Sequence, residues 1–222
     1  MATILLTAGP TRAYIDAVRF ITNASSGRMA RALAQALLAR GHRVTIVSGP
    51  VAVEYPAGAR VVPVVTTREM LSAALAELPA ADGVIAAAAP CDFAPARRAP
   101  GKIPRLAGSL HLALEPSVDV IATLAARAKS GRRTGRRRPP WCVAFALEPG
   151  ADARRACAKL DAKHCDLIVV NDLAALESAA TAVAVYDAAH DLVGSRRGGK
   201  AAVAAWLVRL FERKLMAAGP AR

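Results

Sequence analysis

Strand-length apolar runs alternate with helix-period segments along almost the whole chain, and this alternation constrains the fold more than any other feature. Residues 2–7 predict a buried strand. Roughly 27–40 predict a helix with Met29, Leu33, Ala34, Leu37 and Leu38 on one face, closed by Gly41. His42 to Ser48 forms a second strand, ended by the turn Gly49-Pro50, and Arg60 to Val65 a third. Thr66-x-x-Glu69 is a capping-box signature that opens a helix to about Leu78, and Asp82 to Ala88 is the fourth strand. Leu110 to Leu114 is expected as a short strand, with a helix starting at Ser117-Val118-Asp119. Trp141 to Leu147 and Asp166 to Val170 are further strands, flanking a helix from about Ala151 to Lys163. Thr181 to Asp187 with Asp191 to Gly194 predicts a hairpin, and Lys200 to Met216 a terminal helix. The class that follows is α/β: a Rossmann-like, doubly wound, mostly parallel sheet with helices on both faces and a late β-hairpin. With 222 residues, 54% of them hydrophobic, a single domain over 1–222 is expected.

The first strand-to-helix junction is the unusual part. Thr7 to Arg28 spans about twenty residues, where such a junction usually takes a handful. It contains Gly9-Pro10, an apolar patch (Val18, Phe20, Ile21) that argues against disorder, and Asn23-Ala24-Ser25-Ser26-Gly27-Arg28. Ser25, Ser26 and Gly27 fall where a helix starts, so backbone N–H groups without intrahelical partners, and the positive end of the helix dipole, face outwards there. Such an end binds anions, phosphates above all. Arg28 adds a planar, bidentate charge, and Asn23 both a donor and an acceptor. The alternative is that Ser25 or Ser26 merely caps the helix and Arg28 is solvated.

A second irregular stretch, Ala89 to Arg105, follows the fourth strand and mixes Asp92 with several cations. Asp92 suits a base, a ribose or a metal-bound water, and Lys102 suits phosphate charge; the alternative is a Pro-rich surface loop. Cys91 has no base beside it in the sequence and is expected to be a bystander thiol. Lys159 and Lys163 stand at i, i+4 on one helix face, mildly unfavourable unless a polyanion meets them. Solvated lysines are the plain alternative.

Several classes are disfavoured. There is no acidic residue after the second strand, where Ser48-Gly49-Pro50 stands, and no G-x-G-x-x-G, so an NAD(P) site is disfavoured. The four cysteines form no CxxC pair and the four histidines no HExxH, which fits a reduced cytoplasmic setting and no resident metal site. No apolar run approaches membrane-spanning length and no signal-peptide pattern opens the chain. The formal charge of +13 asks for an anionic partner. Much of it sits in the run 129–140, expected to be a solvated, mobile loop. Aromatics are only 4% and none interleave with that run, so there is no stacking platform for nucleic acid.

Ala8-Gly9-Pro10-Thr11-Arg12, Ile15-Asp16, Val18-Arg19-Phe20-Ile21, Asn23, Ser25-Ser26-Gly27 and Met29 together resemble the opening of the phosphopantothenoylcysteine synthetases. These are the phosphopantothenate–cysteine ligases of coenzyme A biosynthesis. The resemblance runs from residue 3 to about residue 217 and continues through Ala86–Ala89 leading to Asp92-Phe93, Asp119, Phe145, Glu148, Lys159, Lys163 and Asn171-Asp172. It departs at Lys102-Ile103-Pro104-Arg105, where the family has Lys-x-Lys-Lys, which points to an altered rate or nucleotide preference. What the resemblance implies is a ligase that joins 4'-phosphopantothenate to cysteine with CTP and Mg2+, through an acyl-cytidylate. It implies Asn23 on the acyl carbonyl, Lys102 on phosphate charge, Asp92 and Phe145 on the nucleotide, and Lys159 and Lys163 on the triphosphate. It also implies a homodimer, with the late hairpin as the expected contact, and no flavin, since the flavin-dependent decarboxylase often fused upstream in bacteria is expected elsewhere. Two other readings stay open: a divergent nucleotide-binding homologue without catalysis, and a Rossmann-like reductase.

Overall fold

A computed structural model of the chain describes residues 1–105, 108–130, 138–172 and 180–216. Strands β1 (Thr3–Ala8), β4 (Arg43–Ser48), β5 (Arg60–Pro63), β6 (Gly83–Ala86), β9 (Trp141–Leu147) and β10 (Leu167–Asn171) pair in parallel. β11 (Ala180–Asp187) and β12 (Leu192–Gly199) add an antiparallel edge. The resulting order is β12-β11-β10-β9-β6-β1-β4-β5. Alternate residues of each central strand face opposite ways, so each strand feeds two cores. Ile4, Leu6, Ile85, Val143 and Val169 pack under α1 (Arg28–Ala39) and α5 (Lys200–Phe211). Leu5, Val84, Ala144, Ile168 and Val170 pack under α2 (Thr67–Glu77), α3 (Val120–Ser130) and α4 (Ala153–Lys163). Both faces are covered, which is why the strands are near-continuous apolar runs.

Local signals hold where their chemistry is local. Thr66 Oγ1 accepts from Glu69 N while the Glu69 carboxylate accepts from Thr66 N, so both halves of the capping box form. Gly41 takes a left-handed φ of 76° just past α1 and donates to Leu38 O. Two expectations change. The long first junction contains a small ladder, β2 (Arg12–Tyr14) with β3 (Phe20–Thr22). The strand expected at Leu110–Leu114 is instead β8 (Leu114–Pro116), paired only with β7 (Phe93–Pro95), and Leu110 is half exposed. The alternating leucines there follow the strand period with no sheet face to bury them. The second hairpin strand also runs on to Gly199, and the terminal helix widens to a π turn over Glu212–Met216. Most of the basic run, 131–137, lies outside the described residues.

Candidate active site

Beyond β1 the strand order diverges: β4 and β5 lie on one side, β6, β9 and β10 on the other. The crevice at the carboxyl ends of such a switch point is where sheets of this kind bind ligands. The two loops leaving it are stitched together. Ala87 N donates to Thr7 O at 3.2 Å and Ala89 N to Gly9 O at 2.9 Å. Asn23 Nδ2 donates to Ala89 O at 3.2 Å and to Pro90 O at 2.8 Å. With both amide hydrogens facing carbonyls, a flipped amide would set oxygen against oxygen, so Asn23 Oδ1 is left as an acceptor. Cys91 is buried; its thiol donates to Thr11 O at 3.2 Å, and its N–H to Thr11 Oγ1. It is a structural thiol.

Two adjoining cavities open here, sharing a wall of Ala24, Ala88, Ala89, Phe145, Ala146 and Leu147. The larger, about 620 Å3, lies on the α3/α4 side and is lined by Asn23, Asp92, Asp119, Lys159 and Lys163. The N-terminus of α3 opens onto it through Val120 and Ile121. Lys163 Nζ stands 2.5 Å from Asp119 Oδ2, and Lys159 Nζ 2.5 Å from Glu148 Oε1. Each lysine of the like-charged pair therefore has its own carboxylate. Burial pushes the Asp119 carboxyl up, but the Ala122 N–H and Lys163 bonds outweigh it and hold the group below its ordinary value. Phe145 borders both cavities while packing against the α1/α5 core, so its structural and site roles coexist.

The smaller cavity, about 150 Å3, lies on the α1/α5 side and is lined by Ser25, Ser26, Gly27, Arg28, Thr181 and Lys200, among others. Gly27 is the N-cap of α1 with φ 73°, and no side chain caps that end. The serines are thus not spent on capping. Glycine is favoured there by φ, and a Cβ would also crowd Val51 Cγ1 at 3.0 Å. Burial first, and then the nearby Arg28 charge, lower the pKa of Lys200.

The structure therefore brings Asn23, Asp92, Phe145, Lys159 and Lys163 together on one cavity and Ser25, Ser26, Gly27 and Arg28 on the other. Lys102 lines neither. It is exposed, on a segment whose next residue is anchored: Ile103 N donates to Asp16 Oδ2 at 3.1 Å and Arg19 Nη1 donates to Ile103 O at 3.0 Å. The patch of the first junction is surface rather than core, with Val18 59% and Phe20 36% exposed. Thr181, Lys200 and the pairing role of Glu148 escaped sequence reasoning. Gly198-Gly199-Lys200 ahead of an apolar helix does mark a helix start, but not what that start faces. Among the described residues no three His, Cys, Asp or Glu side chains cluster as metal ligands. No described helix is long and apolar enough to cross a membrane.

Residues 1–214 match the family described as the DNA/pantothenate metabolism flavoprotein C-terminal domain. The coenzyme A biosynthesis bifunctional protein CoaBC of Bacillus subtilis is 39% identical over 173 residues, 78% of this chain but 40% of that protein. This chain thus spans less than half the length of the curated relatives it matches. The crystal structure of the C-terminal domain of a CoaBC protein superposes with a TM-score of 0.77 at 30% identity, covering 97% of this chain and 96% of that one. A Cab2 variant in complex with phosphopantothenate-cysteine shares the fold, with a TM-score of 0.74 at 16% identity over 96% of this chain and 86% of that one.

Proposed function

The chain belongs to the DNA/pantothenate metabolism flavoprotein C-terminal domain family, and from that premise we propose that it is a phosphopantothenate–cysteine ligase. In the reaction, a carboxylate oxygen of 4'-phosphopantothenate attacks the α-phosphorus of CTP and pyrophosphate leaves. The amine of cysteine then attacks the acyl carbon of the resulting acyl-cytidylate, CMP leaves with the former carboxylate oxygen, and the amine proton passes to solvent. The observation that carries this reading is the pair of cation-lined cavities meeting at one apolar wall, with Asn23 beside it. Two anionic substrates must be brought together, which calls for fixed cations and N–H donors more than for a nucleophile.

The larger cavity takes the nucleotide. Its size suits a nucleotide-sized ligand. Lys159 and Lys163 turn from Glu148 and Asp119 to the triphosphate, and Asp92 and Phe145 place the nucleoside. Ser25, Ser26, Gly27 and Arg28 hold substrate phosphate on the other side. Asn23 gives up its longer bond, to Ala89 O, to donate to the acyl carbonyl. Lys102, on its anchored segment, closes over the phosphates. Mg2+ would enter with the nucleotide, beside Asp92, and would offset phosphate charge as pyrophosphate leaves. The donor set fits a cation carried mainly by the nucleotide, with Asp92 as the cavity carboxylate that has no ion-pair partner among the described residues.

A homodimer belongs to the same reading. Phe93, Leu110, Leu112 and Leu114, with Val18 and Phe20, are exposed around the two small ladders, which supports that face over the late hairpin as the contact. The buried free thiols support a reducing, cytoplasmic setting. A reductase is disfavoured by geometry: where a dinucleotide ribose would lie beyond β4, Gly49 is pressed against the first junction, and a Cβ there would fall 1.7 Å from Pro10 O. The test is incubation with CTP, 4'-phosphopantothenate and cysteine, with ATP in parallel. Equimolar CMP, pyrophosphate and 4'-phosphopantothenoylcysteine are expected. CTP binding without turnover would support a non-catalytic homologue, to which the altered Lys102-Ile103-Pro104-Arg105 would then belong.

A further inference from the structure

We infer that Thr181 and Lys200 complete, with Arg28 and the N-terminus of α1, a seat for a phosphate monoester, and that the seat selects the terminal phosphate of the acid substrate rather than the nucleotide. The identity of that substrate rests on the ligase reading; the chemistry of the seat does not. Thr181 is 4% exposed and its hydroxyl has no hydrogen-bond partner among the described residues. It lines the smaller cavity from the same strand face as Val183, which lines it too. A buried hydroxyl left without a partner is unfavourable, and a phosphate oxygen would supply one. Lys200 enters the same cavity as the first residue of α5, a helix whose N-cap, Gly199, offers no side chain to its N–H groups. The N-terminus of α1, through Gly27 to Ala30, and the first residue of α5 thus meet at one space of about 150 Å3. Arg28 acts on Lys200 as a like charge, which an anion between them would relieve. No carboxylate lines this cavity among the described residues, whereas Asp92 and Asp119 line the larger one. Arg28, Thr181 and Lys200 come from three separated parts of the chain, so their convergence is a product of the fold.

The experiment measures binding of 4'-phosphopantothenate, pantothenate and CTP to the full chain by calorimetry, for wild type, Lys200→Gln, Thr181→Val and the conservative Lys200→Arg and Thr181→Ser, with melting curves alongside. Lys200→Gln should weaken 4'-phosphopantothenate roughly ten- to a hundredfold and Thr181→Val a few-fold, with pantothenate and CTP unchanged. The conservative variants should recover most of the loss, which a merely structural role would not produce selectively. Preference for the phosphorylated over the unphosphorylated acid that survived in folded Lys200→Gln would overturn the proposal, as would a loss that fell on CTP. If either variant fails to fold, competition by inorganic phosphate against 4'-phosphopantothenate on Lys200→Arg and wild type decides in its place. Equal competition on both that was absent for pantothenate supports the seat, and no competition overturns it. Turnover with an intact preference in Lys200→Gln would leave the ligase reading standing and remove the seat. Selective phosphate binding without turnover would do the reverse.

Discussion

The two cavities at the carboxyl edge of the sheet both gather cations, but in different ways. On the α3/α4 side the cations are already matched: Lys159 with Glu148, Lys163 with Asp119. On the α1/α5 side helix ends and cations converge without a lining carboxylate among the described residues. A matched site would release its lysines only to a ligand more strongly charged than two carboxylates, such as a triphosphate. A cavity with no carboxylate in its described lining suits an anion of lower charge. Charge count alone, +13 over the chain, therefore says little about a site; what counts is which acids fold beside the bases.

The largest expected effect lies where the cavities meet. Asn23→Ala should keep CTP binding and lower formation of the cysteine adduct by roughly two to three orders of magnitude, the usual cost of one lost donor at a developing oxyanion. Wild-type turnover in that variant would remove Asn23 from the chemistry and uncouple the two sites.

Next comes a contrast within the matched cavity. Lys159→Met and Lys163→Met should each raise the KM for CTP roughly tenfold while sparing that for 4'-phosphopantothenate. Their melting temperatures should differ, however. Lys159→Met strands Glu148, whose side chain is 2% exposed, with only the 3.4 Å contact to Arg155 among the described residues, whereas the side chain of Asp119 is 46% exposed and rehydrates. Equal melting temperatures would mean that Glu148 gains little from Lys159.

Gly27→Ala probes the α1/α5 side. A left-handed alanine costs about 1–2 kcal/mol, and its Cβ must displace Val51 and Val53. Stability should fall by that order, and 4'-phosphopantothenate should weaken more than CTP.

The smallest effect concerns the segment carrying Lys102. The N–H groups of Arg19 and Val18, against the opposing effect of burial and together with Ile103 N–H and the Arg19 charge, hold the Asp16 carboxyl at about 2, below its ordinary 3.8. The folded value is the lower one, so this contribution is complete above about pH 4 and fades as the pH falls through 3.8 towards 2. Hydrogen exchange at Ile103 N–H should lose protection in that window, and Asp16→Asn should lack the protection at neutral pH. Protection unchanged down to pH 2 would detach Asp16 from the segment.

The legibility of the sequence follows the range of the interactions. The capping box at Thr66, the glycine past α1 and the parallel strands were visible because each is written within a few residues or one period. Lys159 and Lys163 shared a face because helix geometry requires it. Their partners were hidden: Glu148 ends β9, and Asp119 precedes α3, 44 residues away from Lys163. Thr181 and Lys200 were hidden for the same reason, since only the antiparallel edge carries them to the mouth of α1. Leu110–Leu114 failed because periodicity predicts a face and cannot supply the surface it packs on.

The most direct test follows one oxygen atom. If the acid and the nucleotide meet across the wall of Ala88, Ala89 and Phe145, 4'-phosphopantothenate labelled with heavy oxygen in its carboxylate should deliver one labelled oxygen to CMP in a complete turnover with cysteine. Label in pyrophosphate or inorganic phosphate, with unlabelled CMP, would place the attack elsewhere on the nucleotide and contradict the two-cavity account.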